Sequence, residues 1–453
     1  MKDSLVYSNV SLKKNKSYML YLGGLKYLGI CRFLKKSLRK YYNKNTEVIY
    51  ILPNFPPCHF KGNYVVLNKK LAKVDDKMNS YIALSSDTFY KTVANSTHVR
   101  RLVSNILKNQ KDLFVQLYKD SPKLTFLAKN KKIKFLGPQV RLFAKYDNKL
   151  FQHKMADKLG IPVPKWVLAK NKTDLLRLYQ KHWKNRKAFI TALYGAGGRG
   201  CAVVKSKDEI MRHRHIKKQN KKYIISDYIS FTDSPTTSAI VANENEIFFN
   251  GVMDQLLDGP KNKGSIYPSK LSRKMQHKIE EYTLRIGKHL GKKRFRGFFS
   301  LDFIVDKKGR IYFSEINPRI GGTTLEKIYF HEVTKKKGFP SLPELEFRSV
   351  TRNTFGNISS YRINKGNFSW ARFTVSAKKG DRVIKSHLPE YPELIAFKKH
   401  KSTALCCPRK GMTYLTGGLM SNIVCAKKSR AKVKQELKKA ERAVLKNLQK
   451  FSK

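Results

Sequence analysis

Residues 298–318 read FFSLDFIVDKKGRIYFSEINP. Two runs that alternate apolar with polar residues flank Lys307-Lys308-Gly309, and that pattern predicts a β-hairpin with the glycine in its turn. Successive side chains on a strand point to opposite faces, so Glu315 and Asn317 share one side, and Arg319 continues it. Hairpin pairing brings Asp302 beside them. A chain that contains this hairpin must build a sheet around it, with acids on one face. Two carboxylates and an amide oxygen make a hard oxygen site that suits Mg²⁺, with phosphates completing the shell. Arg319 can neutralise a terminal phosphate. The competing reading is a pair of half-exposed hairpin acids balancing nearby lysines.

The acids stand out because they are scarce: 94 Lys+Arg face 32 Asp+Glu, for a net charge of +62. Such a surface attracts nucleic acid, anionic membrane or phosphorylated metabolites without specifying which. The excess is mostly lysine and runs the whole length, so compositional drift competes with a dedicated polyanion or nucleic-acid partner. Hydrophobic residues at 41% and aromatics at 11% build real cores and exclude a disordered polycation. A length of 453 residues implies two or three domains. The six cysteines, Cys31, Cys58, Cys201, Cys406, Cys407 and Cys425, form no paired C-x-x-C framework for zinc and fit a reducing compartment. The apolar segment YMLYLGGLKYLGI follows a basic stretch, as a poor signal peptide would. Lys26 and two adjacent glycines interrupt it, and it falls short of the about 20 apolar residues a membrane span needs. It reads better as strand, glycine turn, helix, in a cytoplasmic protein with no membrane span.

Along the chain, YMLYL, Gly23-Gly24, a helix over 26–42 and the strand EVIYIL form a β-α-β unit, the start of a parallel sheet. YIALSS near 81 reads as a strand, VRRLVSNILKNQKDLFVQLYKD as helical, and KIKFLGP as a short strand. An amphipathic helix with Leu150, Phe151, Met155 and Leu159 on one face ends at Gly160. KAFITAL, CAVVK and YIISDYI read as strands; SAIVANENEIFFNGVMDQLLDG reads as two strands turning at 243–245. The helix SRKMQHKIEEYTLRIGKHLG is expected to be capped by Gly291. Beyond 346 the patterns give the strands SWARFTVSA and TYLTGGLMSNIVCA and a basic terminal helix from about 429.

Between two of these strands lies YGAGGRG. Glycines allow close backbone approach and let N–H groups converge on phosphate oxygens. No G-K-[ST] follows, and the loop feeds a strand, so it is neither a Walker A loop nor a dinucleotide fingerprint. A plain hairpin turn is the alternative. Taken in order, FLGP, a Lys-bearing helix ending GIPVP, the glycine loop, IISDYI and LDFIVD…EINPR closely resemble the ATP-grasp superfamily, over roughly residues 135–330.

That resemblance implies an α/β and α+β chain. Residues 1–140 would be a parallel-sheet pre-grasp domain. Residues 141–345 would be an ATP-grasp core, with a small lobe at about 165–230 and a large lobe at about 231–345 clasping ATP. Residues 346–453 would complete the large lobe. It implies ATP with Mg²⁺ (or Mn²⁺) as cofactors. Lys149 then reaches the phosphates, and Gly197, Gly198, Arg199 and Gly200 belong to the mobile loop over them. Asp227 and Ile229 fall on the segment whose backbone recognises adenine. Asp302, Glu315 and Asn317 match the metal ligands and Arg319 the γ-phosphate arginine. Two positions depart from the family pattern: Thr191 stands where a second phosphate-binding lysine is usual, and Ser226 where the adenine segment begins with glutamate. Arg199 or Lys205 could restore the missing charge.

Most members of the superfamily are ligases that join a small-molecule carboxylate to an amine through an acyl phosphate. NPRIGGTT resembles the ligases, including the peptide-ligase branch, which makes Gly321, Gly322, Thr323 and Thr324 candidates for substrate contact. Asp254 and Gln255 are candidates for the same cleft, or ordinary strand-end polar residues. The rivals are a kinase of the same fold acting on an acidic small molecule, and a degenerate ATP-grasp protein binding nucleic acid.

Overall fold

The computed structural model describes residues 4–56, 60–118, 121–195, 200–213, 216, 221–258, 261–358, 369–385, 402–405 and 409–449. The first sheet runs in the order Leu5–Ser8, Asn63–Leu67, Asn45–Leu52, Lys16–Leu22, Leu113–Leu117, Ile133–Leu136, and all its neighbours but the first pair are parallel. A parallel sheet is covered on both faces, which is why LFVQL and SYMLYL are buried without alternation. Helices Ser86–Ala94 and Thr97–Asn109 cover one face. Much of the cover on the other comes from far along the chain: Leu325, Ile328, Tyr329, Leu342, Leu345 and Phe347 pack among Met19, Tyr21, Tyr50 and Phe114.

A small four-stranded antiparallel sheet follows, in the order Cys201–Val204, Ala188–Ala192, Tyr223–Asp227, Trp166–Ala169. Helix Lys172–Trp183 buries Leu175, Leu178, Tyr179 and Trp183 against it. The third sheet has nine strands. Phe231–Asp233, Pro235–Val241, Ile247–Asp258 and Lys261–Tyr267 join the hairpin Gly297–Asp306 and Ile311–Asn317, and the sheet continues through Ser369–Ala377, Gly418–Lys427 and Ser402–Leu405. Helix Arg273–Lys292 packs on the hairpin half, and helix Arg430–Leu445 on the C-terminal half. A fourth sheet, of two-residue strands, joins Ser80–Tyr81 to Arg382–Val383, Thr413–Tyr414 and Leu448–Gln449.

Four local expectations are corrected. The helix over 26–42 is broken: 3-10 turns at Leu25–Tyr27 and Ile30–Leu34 flank Gly29, and α-helix begins only at Lys35. YIALSS supplies a two-residue strand, because Ser85 turns away to cap the next helix by accepting from the Thr88 N–H. The helical reading over 99–120 fails after Asn109. Gln110 is extended, its amide pairs both ways with the backbone of Tyr18, and Leu113–Leu117 enters the sheet. Finally, Gly291 lies inside its helix, which ends at Lys293 and the left-handed Arg294. A Cβ at Gly291 would stand 2.6 Å from the backbone of Asn243 and Glu244, so this glycine serves close approach of the helix to a strand turn.

Candidate active site

The hairpin register sets the site. Asp302 is the cross-strand partner of Glu315, Ser300 of Asn317, and on the other side Thr236 pairs with Asp302 and Ser238 with Ser300. These residues form one polar face across the neighbouring strands. Helix Lys149–Lys158 lies beside it, begun by Asn148, whose side chain accepts from the Phe151 N–H. Lys149 thus occupies the first helical position, and its Nζ lies 3.0 Å from Glu315 Oε1. An ammonium at the positive end of a helix is unfavourable in isolation. Burial also disfavours the charge, yet Glu315 outweighs it and the pKa of Lys149 is raised.

One turn further, Gln152 does what a backbone partner would do. Its Nε2 donates to the carbonyls of Tyr146 at 2.8 Å and Ile316 at 3.1 Å, and its Oε1 accepts from the Ile316 N–H at 3.1 Å. Ile316 lies between Glu315 and Asn317, so this amide fixes the end of the strand that bears both. The buried face of the helix is accordingly Gln152, His153, Met155 and Ala156, whereas Leu150, Phe151 and Leu159 are half-buried.

Asp302 is crowded. Burial pushes its carboxyl up to about 6, the charge of Glu315 adds to that, and hydrogen bonds from Thr236 and Gln255 and the charge of Lys149 pull it back. Gln255 Nε2 donates to Asp302 Oδ1 at 2.8 Å, and Asn317 Nδ2 reaches Oδ2 at 3.4 Å. Arg319 donates from Nη2 to Asn317 Oδ1 at 2.7 Å and lies 4.6 Å over the Tyr118 ring. Two carboxylates side by side are a donor set that suits a divalent cation; the Asn317 amide next to them turns its nitrogen to Asp302 and its oxygen to Arg319. Among the described residues no cluster of three or more His, Cys, Asp or Glu could hold a metal, so this oxygen set would depend on phosphates to complete a shell.

The remaining candidates sit as follows. Gly200 is left-handed at φ +83°, and its carbonyl accepts from the Ala192 N–H; Gly197, Gly198 and Arg199 lie outside the described residues. Thr191 is buried, with Oγ1 3.3 Å from Cys201 Sγ. Lys205 is exposed just beyond its strand. Ser226 is buried in the small sheet. The Asp227 carboxylate takes a 2.8 Å bond from Trp183 Nε1, and Ile229 is half-buried in the link from the small sheet to strand Phe231–Asp233. Asp254 and Gln255 point to opposite faces: Gln255 meets Asp302, whereas Asp254 is held by Ser269, the Lys270 N–H and Arg430. Gly321 lies under Ser300, Thr323 begins helix Thr324–Thr334 without a side-chain cap, and Thr324 is buried.

Sequence reasoning missed Gln152, and also Lys327. The Lys327 Nζ donates to Ser238 Oγ at 2.7 Å, and complete burial pushes its pKa down to about 7, partly offset by Asp302 and Glu326. The available signal was a polar residue on the inward face of each helix.

Residues 154–328 match the ATP-grasp domain family. Over 184 residues the chain is 26% identical to a D-alanine--D-alanine ligase from Aquifex aeolicus; the match spans 39% of this chain and 60% of that relative. The fold is similar to a biotin carboxylase–β-γ-ATP complex from Campylobacter jejuni, with a TM-score of 0.67 at 14% identity, covering 96% of this chain and 91% of that one. It is also similar to an ADP complex of N5-carboxyaminoimidazole ribonucleotide synthetase, with a TM-score of 0.61 at 12% identity, covering 94% and 96%. The matched segment spans the small sheet and the acid-bearing hairpin, so the chain has the ATP-grasp fold, with its likeness to the ATP-grasp domain family carried by residues 154–328.

Proposed function

We propose that this protein is an ATP-dependent carboxylate–amine ligase that forms an amide or peptide bond through an acyl phosphate and releases ADP and phosphate. The observation that carries the reading is the pairing of Asp302 with Glu315 on adjacent strands, with Lys149 on Glu315 and Arg319 on Asn317. In this reading Asp302, Glu315 and Asn317 hold Mg²⁺ or Mn²⁺, which when bound neutralises phosphate charge and polarises the terminal phosphoryl group. Lys149 orients the phosphates, and Arg319 stabilises charge on the γ-phosphoryl as the substrate carboxylate attacks it. The segment around Asp227 and Ile229 receives adenine, and the glycine loop ending at Gly200 covers the phosphates. Gly321 to Thr324 would border the acceptor, and the Gln255 amide, bonded to Asp302 Oδ1, would hold that carboxylate in place for the metal.

We further take residues 1–140 as the pre-grasp domain, 141–345 as the grasp core and 346–453 as the completion of its large lobe. A cytoplasmic setting suits an ATP-consuming chain with free Cys31, Cys201 and Cys425; no helix among the described residues is long and apolar enough to cross a membrane. The ligase reading is preferred to a kinase because the sequence relative is a ligase and NPRIGGTT follows the ligase pattern.

The test is turnover of ATP and Mg²⁺ with pooled small carboxylates and amines, following ADP and phosphate, with Glu315→Ala as control. Phosphate release that needs both a carboxylate and an amine and disappears in the variant supports the ligase. ADP without free phosphate moves the assignment to a kinase, and absence of ATP binding overturns both.

A further inference from the structure

Helix Lys35–Tyr42 and helix Leu342–Arg352 are distant in sequence and form two walls of a recess of about 650 Å³. That volume falls in the range of small-ligand sites. Side chains four apart share a helix face. On the first wall Lys36 and Lys40 are such a pair, and on the second Glu344, Arg348 and Arg352 form a stripe of the same spacing. Lys335 adds a fifth cation from the loop between them. Five of the eleven lining residues are Lys or Arg, against 94 of 453 in the whole chain, so the recess is about twice as basic as composition alone provides. A Cβ at Gly338, which is left-handed at φ +84°, would meet nothing within 4 Å among the described residues, so open space adjoins the loop.

The acids nearby are already matched. Glu344 pairs with Arg348 at 2.7 Å, and Glu332 with Lys335 at 2.9 Å. Behind Tyr41, Asp112 Oδ2 accepts from the Tyr41 hydroxyl at 2.6 Å and pairs with Lys134 at 2.7 Å, and its other oxygen is buried. Lys36, Lys40 and Arg352 are exposed and make no hydrogen bond or ion pair among the described residues. Like charges that face each other across a recess repel. The walls hold them there regardless, because Leu38, Leu345 and Phe347 fix both helices in the core beneath the parallel sheet. Phe347 is 4% exposed and meets Tyr41 edge to face at 5.9 Å, which makes the inner side rigid. An anion relieves the repulsion, and a chain of linked phosphates reaches cations on both walls where a single phosphate does not.

We propose that this recess binds a small anion with two or more adjacent phosphoryl groups, bridging Lys36 and Lys40 on one wall to Arg352 on the other. None of the lining residues belongs to the acid-bearing hairpin, to helix Lys149–Lys158 or to the glycine loop, so the site is separate from the nucleotide cleft proposed above. Helix Lys35–Tyr42 is part of the parallel-sheet unit, whereas helix Leu342–Arg352 meets the hairpin through the bond from the Phe298 N–H to Glu346. A bound polyphosphate therefore braces one unit against the other.

The experiment is calorimetric titration of the full chain with tripolyphosphate and, separately, inorganic phosphate. Salt of about 0.15 M screens diffuse attraction to the basic surface. Lys40→Met combined with Arg352→Met removes one exposed cation from each wall, a change the fold tolerates. Lys36→Met gives an independent second variant. Lys434→Met combined with Lys438→Met removes the same charge from exposed positions on the terminal helix. Lys149→Ala alters the nucleotide cleft instead. The expected result is saturable tripolyphosphate binding that survives in Lys149→Ala and in the terminal-helix pair, and that weakens about tenfold or more in the recess pair and measurably in Lys36→Met. Absence of saturable binding, or equal weakening in both pairs, overturns the proposal. Binding lost in Lys149→Ala and kept in the recess pair assigns the anion to the cleft and also overturns it. Inorganic phosphate that binds as tightly as tripolyphosphate refutes the bridge.

Discussion

The Tyr27 hydroxyl donates to the Gly321 carbonyl across 294 residues of chain, at 3.0 Å. This bond ties the first loop of the parallel sheet to the turn that follows Arg319. Burial pushes the Tyr27 hydroxyl well above the ordinary tyrosine range, so it stays a donor throughout the working pH range. Tyr27→Phe removes the bond, but the same carbonyl also accepts from the Thr324 N–H at 3.2 Å. The cost is therefore at the low end for a buried hydrogen bond, about 1 kcal/mol. Urea unfolding checks it, and a variant as stable as the native protein would mean that packing alone holds the loop.

The proposed roles of Lys149 and Glu315 predict separable contributions to nucleotide binding. Lys149→Ala removes the cation proposed to orient the phosphates and leaves Glu315 without that counter-ion. ATP affinity is expected to fall about tenfold or more, with or without Mg²⁺. Glu315→Ala instead removes a proposed metal ligand, so it should abolish any gain in affinity that Mg²⁺ gives while sparing metal-free ATP binding. Titrating ATP with and without the metal against both variants distinguishes these effects; the same metal dependence in both would refute the division of roles.

Gln152→Leu keeps the approximate volume of the side chain and strips two hydrogen bonds from a buried strand end and one from the Tyr146 carbonyl. The loss should be about 2–3 kcal/mol in urea unfolding, since the Ile316 N–H and C=O both lose a partner. Because Ile316 sits between Glu315 and Asn317, Mg²⁺-dependent ATP binding should weaken as well. A variant that lost stability but kept its metal dependence would make Gln152 a purely structural clamp.

What the sequence made legible follows the range of the forces involved. The hairpin was readable because Asp302, Glu315, Asn317 and Arg319 obey the period of a strand, and the register then pairs Asp302 with Glu315. The strand at Leu113–Leu117 was hidden because its apolar run continues the helical spacing before it, and what ends that helix is the Gln110 amide pairing with Tyr18, a contact 92 residues away. Gln152, Lys327 and Tyr27 were unreadable for the same reason: each acts through a partner that only the tertiary fold supplies.

Gly291 illustrates that limit in a testable way. Read as a cap, it should tolerate asparagine and suffer only mildly from alanine. Placed inside the helix and against the Asn243 backbone at 2.6 Å, it should tolerate neither. Gly291→Ala is expected to cost about 1–3 kcal/mol or more through overpacking, despite the better helix propensity of alanine. Thermal unfolding of the alanine variant decides it, and an unchanged or raised Tm would restore the capping role.

Glu346 makes stability depend on pH at the seam between the parallel sheet and the hairpin. Its carboxyl accepts from the Phe298 N–H at 3.3 Å and from Gln116 Nε2 at 3.4 Å, one partner from each sheet. Complete burial pushes it from 4.5 up to about 7, against the pull of those two bonds. A carboxyl raised on folding stays protonated in the native state while the unfolded chain has already released its proton. Its contribution to stability is therefore full below pH 4.5, is lost as the pH rises from 4.5 to about 7, and is constant above that. Glu346→Gln is neutral at every pH and keeps an acceptor for Phe298. Relative to the native protein, the variant should gain roughly 2–4 kcal/mol between pH 4.5 and pH 8. Paired urea unfolding curves at the two pH values measure that difference directly, and parallel pH profiles for the two proteins would show that Glu346 ionises in the fold as freely as in water.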